Sequence, residues 1–81
     1  MTLRVLFFAS VADLVRARSL SVASAGPVTV GELRKRLEAE HPALAGRLGK
    51  CAAAVNSTVA GPERKLADGD EVAFLPPVSG G

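Results

Sequence analysis

An α+β domain, with one sheet and one principal helix laid across it, is the fold class this sequence predicts. Apolar runs of strand length stand near both ends, at Leu3–Ala9 and Glu71–Leu75. A single well-signalled amphipathic helix begins near Val30. Between and around them the order reads strand, helix, strand, helix, then short strands. A chain of 81 residues, 48% of them hydrophobic, suits one packed domain and no second. The expected division is a domain over residues 1–75 and an extended, flexible C-terminal tail over 76–81.

The elements follow in order. Leu3 to Ala9, interrupted only by Arg4, reads as a buried strand. Ser10 with Asp13 three residues on has the spacing of a capping box and predicts a short helix from about Val11 to Arg16. Leu20 and Val22 alternate with serines as a half-buried strand that ends before Gly26-Pro27. Thr29 caps the principal helix, with Glu32 at the reciprocal position and Val28 and Leu33 placed for a hydrophobic staple. Val30, Leu33 and Leu37 form its apolar stripe, and Pro42 ends it. Arg34–Glu38 and Arg36–Glu40 are candidate i,i+4 pairs in the weaker orientation. Ala52–Val55 predicts a third strand, Asn56-Ser57 a turn and Thr58-Val59 a short return. Asp68-Gly69-Asp70 is a tight-turn signal before the last strand, Glu71–Leu75.

Composition removes several function classes. The only aromatics are Phe7, Phe8 and Phe74, too few for a base-stacking platform. The net charge of +2 comes from interspersed residues, and the run Arg34-Lys35-Arg36 falls within a helix. A nucleic-acid partner is therefore not expected. The apolar run at the N-terminus is too short for a signal or membrane segment, so no membrane association and a cytoplasmic location are expected. One cysteine, Cys51, needs no oxidising compartment and reads as a small buried hydrophobe. His41, beside a helix-ending proline, reads as a surface residue, and no zinc spacing exists. Asp68, Asp70 and Glu71 read as turn acids. No bound metal or cofactor and no self-contained catalytic site are expected.

The C-terminus has a different character. Pro76-Pro77 stiffen the segment after the last strand and project it from the sheet. From Leu75 to Gly81 it can reach about 20 Å. Gly80 and Gly81 carry no side chains, so the terminal carboxylate can pass a narrow channel. Such a tail suits delivery of a carboxyl group into another protein's active site; an inert, frayed end is the plain alternative.

Three segments carry a resemblance: Val5-Leu6-Phe7-Phe8-Ala9, Ala54-Val55-Asn56, and Asp68-Gly69-Asp70-Glu71-Val72-Ala73-Phe74-Leu75-Pro76-Pro77-Val78-Ser79-Gly80-Gly81. They resemble the MoaD/ThiS sulfur-carrier family, on the side of the molybdopterin synthase small subunits. The resemblance implies the ubiquitin-like β-grasp fold. It also implies a non-catalytic carrier subunit of molybdenum cofactor biosynthesis. An ATP-dependent adenylating enzyme would activate the Gly81 carboxylate, and a persulfide sulfur from a sulfurtransferase would replace AMP. The resulting thiocarboxylate would enter the large synthase subunit and give its sulfur to cyclic pyranopterin monophosphate. Gly81 would carry the sulfur, Gly80 would give clearance, and Pro76 and Pro77 would set the tail's direction. The family often has a basic residue where this chain has Ala12, which bears on a partner contact.

Alternation along the end strands predicts where partners dock. If Val72 and Phe74 face the core, Ala73 and Leu75 face away, as Leu6 and Phe8 oppose Leu3, Val5 and Phe7. One helix covers one sheet face, so Phe8, Leu75 and Val78 are expected in the partner interface. A thiazole-type sulfur carrier, a lysine-conjugated protein modifier and a plain interaction domain are the rival functions.

Overall fold

The computed structural model describes residues 1–76. Alternation along β1 (Thr2–Phe7) sets the two sides of the sheet: Leu3, Val5 and Phe7 are buried, while Arg4 is exposed and Leu6 half-buried. α1 (Ala9–Val15) follows and leads to β2 (Ser19–Ala23), which lies antiparallel to β1 with Leu3 opposite Val22. α2 (Val30–Glu40) crosses to β3 (Ala52–Val55), β4 (Thr58–Ala60) and β5 (Glu71–Leu75).

The strand order is β2-β1-β5-β3-β4, with β1 and β5 parallel and every other pairing antiparallel. A mixed sheet with a helix across one face in this order is the ubiquitin-like β-grasp. Val30, Leu33 and Leu37 of α2 pack with Leu3, Val5, Phe7, Val55, Val72 and Phe74 in a single core, which Val11, Leu44, Leu48 and Leu66 complete. The stripe read from the sequence is thus the buried face of the helix.

α2 starts as its sequence dictates. The Glu32 N–H donates to Thr29 Oγ1 at 3.2 Å, and the Thr29 N–H donates to Glu32 Oε1 at 2.9 Å. Arg36 and Glu40 form the expected ion pair at 3.1 Å. Arg34 and Glu38 form none among the described residues; Arg34 Nε and Glu38 Oε2 are buried without hydrogen-bond partners. The β3–β4 connection is a two-residue hairpin turn in which Asn56 and Ser57 both take positive φ, 50° and 72°, as the right-handed strand twist requires.

The first helix departs from expectation. It runs over Ala9–Val15, so the strand stops at Phe7 and Ser10 lies inside the helix rather than at its cap. The cap is Phe8, extended at φ −128° and ψ 153°, and no side chain caps the helix. The backbone decides this boundary: the Val11 and Ala12 N–H groups donate to the Phe8 carbonyl, so the turn begins directly off β1. Arg16 closes the helix in the left-handed region at φ 56°, which costs a non-glycine residue about 1–2 kcal/mol.

Candidate functional site

The parallel pairing of β1 with β5 decides what the two strand ends present. Phe7 lies opposite Phe74, and both are buried. One residue further on, Phe8 and Leu75 are exposed by 44% and 36%, and Pro76 follows half-buried. Leu6 and Ala73, paired across the same junction, are half-buried on the face opposite α2. The expected exposure of Phe8 and Leu75 beside the root of the tail is therefore observed. Pro77, Val78, Gly80 and Gly81 lie outside the described residues, and the roles expected of them remain expectations.

On the outer face an apolar row runs across four strands, from Leu6 through Ala73 and Ala54 to Val59. Val59, on the edge strand β4, is 75% exposed. Sequence reasoning passed over Val59 because a three-residue return strand gives no alternation to read. A recess of about 420 Å³ opens at the β1 end, lined by Leu6, Phe7, Phe8, Ala12 and Arg18. Arg18 is the second residue that sequence reasoning missed. It comes to the recess because the Phe7 N–H donates to the Arg18 carbonyl at 2.8 Å, a pairing that no local motif announces.

The groups set aside in the sequence have structural duties. The Cys51 thiol is buried and donates to the Arg47 carbonyl at 3.5 Å. Burial pushes its pKa up; Arg34 draws it down and Glu38 raises it, each by less. His41 caps α2, its N–H donating to the Leu37 carbonyl at 2.8 Å. Asp68 Oδ1 accepts the Thr2 N–H at 2.7 Å. Asp70 accepts from the Ala67 N–H at 2.8 Å and from Asn56 Nδ2 at 2.9 Å, and these bonds hold its carboxyl below the usual range. The acids are thus clasps of the turn before β5, and no metal-ligating cluster occurs among the described residues. Among those residues no helix is long and apolar enough to cross a membrane.

This arrangement supplies a packed domain with exposed apolar side chains, Phe8 and Leu75, side by side at the ends of β1 and β5. The Cys51 thiol is engaged with the Arg47 carbonyl, and His41 gives its backbone N–H to the end of α2.

Comparison with known proteins gives a consistent result. A profile of the ThiS family matches residues 5–81. The molybdopterin synthase sulfur carrier subunit of Escherichia coli is 48% identical over 81 residues, covering 98% of this chain and 99% of that protein. The crystal structure of SAMP1 from Haloferax volcanii, a small archaeal modifier protein, superposes with a TM-score of 0.88 at 31% identity, covering all of both chains. A chain in the complex of subunits 1 and 2 of the molybdopterin-converting factor from Helicobacter pylori superposes with a TM-score of 0.73 at 32% identity, again over all of both chains.

Proposed function

The chain belongs to the ThiS family, and from that premise we propose that it is the sulfur carrier subunit of a molybdopterin synthase. The observation that carries this reading is the end-to-end likeness, 48% identity with the Escherichia coli carrier subunit, together with a family match that runs to Gly81. The domain supplies position, and the chemistry takes place at the Gly81 carboxylate.

A carboxylate is a poor electrophile because its charge is delocalised and its oxygen is a poor leaving group. Attack of the Gly81 carboxylate on the α-phosphorus of ATP, in the adenylating enzyme, releases pyrophosphate and gives an acyl-adenylate. The outer sulfur of a sulfurtransferase persulfide then displaces AMP to give an acyl disulfide. A thiol cleaves its S–S bond, forming a disulfide with the transferase sulfur and leaving a terminal thiocarboxylate. The tail enters the large synthase subunit, where the sulfur passes to the pterin precursor. General acid and base groups belong to that subunit; in this domain Asp68 and Asp70 are bonded to backbone N–H groups of the turn before β5 and Glu32 to the cap of α2.

Phe8, Leu75 and Val78 are proposed as interface residues around the tail's root, with Pro76 and Pro77 setting its direction and Gly80 giving clearance. Support comes from the exposure of Phe8 and Leu75 and from the Helicobacter pylori relative, whose structure is a complex of the two subunits.

Intact-mass measurement tests the reading. The chain is incubated with ATP, a sulfide source and an activating enzyme, beside a version lacking Gly81. A mass gain equal to sulfur replacing oxygen, seen only in the full chain, is the expected result. No gain, with the enzyme active on another carrier, removes sulfur carriage. Lysine-linked conjugates without that gain would favour a modifier, the function named for the Haloferax volcanii relative.

A further inference from the structure

Two recesses lie side by side at the β1 end and share Ala12 and Arg18. The first, lined by Leu6, Phe7, Phe8, Ala12 and Arg18, is apolar except for its arginine. The second, of about 330 Å³, is lined by Ala12, Asp13, Arg16, Ala17 and Arg18. Ala12 contributes no charge to either, so the local excess of positive charge comes from Arg16 and Arg18 set against Asp13. Among the described residues, neither arginine has a carboxylate within ion-pair distance.

The backbone fixes where both arginines leave the chain. Arg18 is fixed beside the strand end by its carbonyl's bond from Phe7. Arg16 stands at the left-handed residue that closes α1, a position glycine fills without strain. A strained residue that carries a long cation, next to an apolar floor, is a reason to look for a ligand. The floor is continuous with exposed Phe8, the neighbour along the strand end of the tail's root. A partner seated on Phe8 and Leu75 would border these recesses.

We propose that the double recess takes a segment of the large synthase subunit in which an apolar side chain stands next to a carboxylate. This rests on the carrier reading above. The apolar side chain would sit over Leu6 and Phe8, and the carboxylate would meet the guanidinium groups of Arg18 and Arg16. A guanidinium–carboxylate pair is directional and, beside an apolar floor, less screened than one in open water. Such rim pairs contribute mainly to the speed and specificity of encounter, so salt should weaken them. Two cations, an acid and an apolar floor do not make the phosphate-tracking stripe of a nucleic-acid surface.

Calorimetric titration of the full chain into the large subunit, at low and at physiological salt, tests this. Arg18→Glu is expected to weaken binding about tenfold at low salt, and Arg16→Glu with Arg18→Glu to flatten the salt dependence. Lys35→Glu, the same charge change on exposed α2, should bind within about twofold of the parent chain. Equal loss in Arg18→Glu and Lys35→Glu would reduce the effect to net charge and overturn the proposal. Unchanged binding by Arg18→Glu, with binding lost in Leu75→Asp, would overturn it while leaving the carrier reading intact. A parent chain that fails to bind the large subunit at all would overturn the carrier reading, and the proposal with it.

Discussion

Phe7 and Phe74 stack across the parallel junction of β1 and β5, with ring centroids 6.4 Å apart and planes 20° from parallel. The same register that joins these rings in the core turns Phe8 and Leu75 outward, one residue on. The strand pair thus anchors the core on one face and leaves Phe8 and Leu75 exposed on the other.

Phe74→Ala should cost about 3–5 kcal/mol, because it removes a fully buried ring and leaves a cavity against Phe7. A domain of ordinary stability has about 5–15 kcal/mol in total. Urea unfolding should therefore show the variant near the limit of folding; a loss below about 1 kcal/mol would mean the strand junction repacks freely.

Phe8→Ser should behave differently. Phe8 occupies the N-cap of α1, where no side chain accepts a hydrogen bond, and serine is a favoured residue there. The capping gain and the loss of the exposed ring's remaining contacts roughly offset, so stability should stay within about 1 kcal/mol of the parent. Affinity for the large subunit should fall, by calorimetry. A variant that binds as the parent does would remove Phe8 from the interface.

Asp70 gives the domain an acid-sensitive clasp. The Ala67 N–H and then Asn56 Nδ2 hold its carboxyl below the usual value, so the folded state favours the ionised form. That stability is complete above the ordinary carboxylate pKa of about 4 and is lost as pH falls through the lower folded value. Asp70→Asn should be less stable than the parent at neutral pH, and the gap should narrow as acid protonates the parent's carboxylate. Thermal melts across the acid range would show it; a gap that stays constant would exclude the linkage.

The sequence displayed most of this fold because its signals were local and mutually consistent. Thr29 and Glu32 sit three apart and bond as that spacing demands. Asn56-Ser57 made the hairpin turn, and the alternation of Val72 with Phe74 assigned the faces of β5. Ser10 misled because a capping spacing is short and the backbone turn off Phe8 took precedence. Arg18 and Val59 were hidden for another reason. Their places depend on which strands pair and in what register, and that information is long-range.

Cys51 should react slowly. Its thiol is buried and its pKa is raised chiefly by that burial, so little thiolate is present at neutral pH. Labelling by an aromatic disulfide reagent should be at least about tenfold slower in the native chain than in urea. Equal rates would mean that the segment between α2 and β3 opens readily.

Arg16→Gly separates fold from docking in a single variant. Glycine takes the left-handed conformation at the end of α1 without the clash that a Cβ brings, so the variant should gain about 0.5–1 kcal/mol, less the added freedom of its unfolded chain. The same change removes one of the two guanidinium groups at the recess that have no ion-pair partner among the described residues. A rise in melting temperature together with weaker, less salt-sensitive binding to the large subunit is the expected pair of outcomes. A gain in stability with unchanged binding would leave Arg16 a surface charge in an awkward place, because a purely structural residue moves only the first quantity. Loss of stability would show that the arginine side chain contributes more to the end of α1 than its strained backbone takes away.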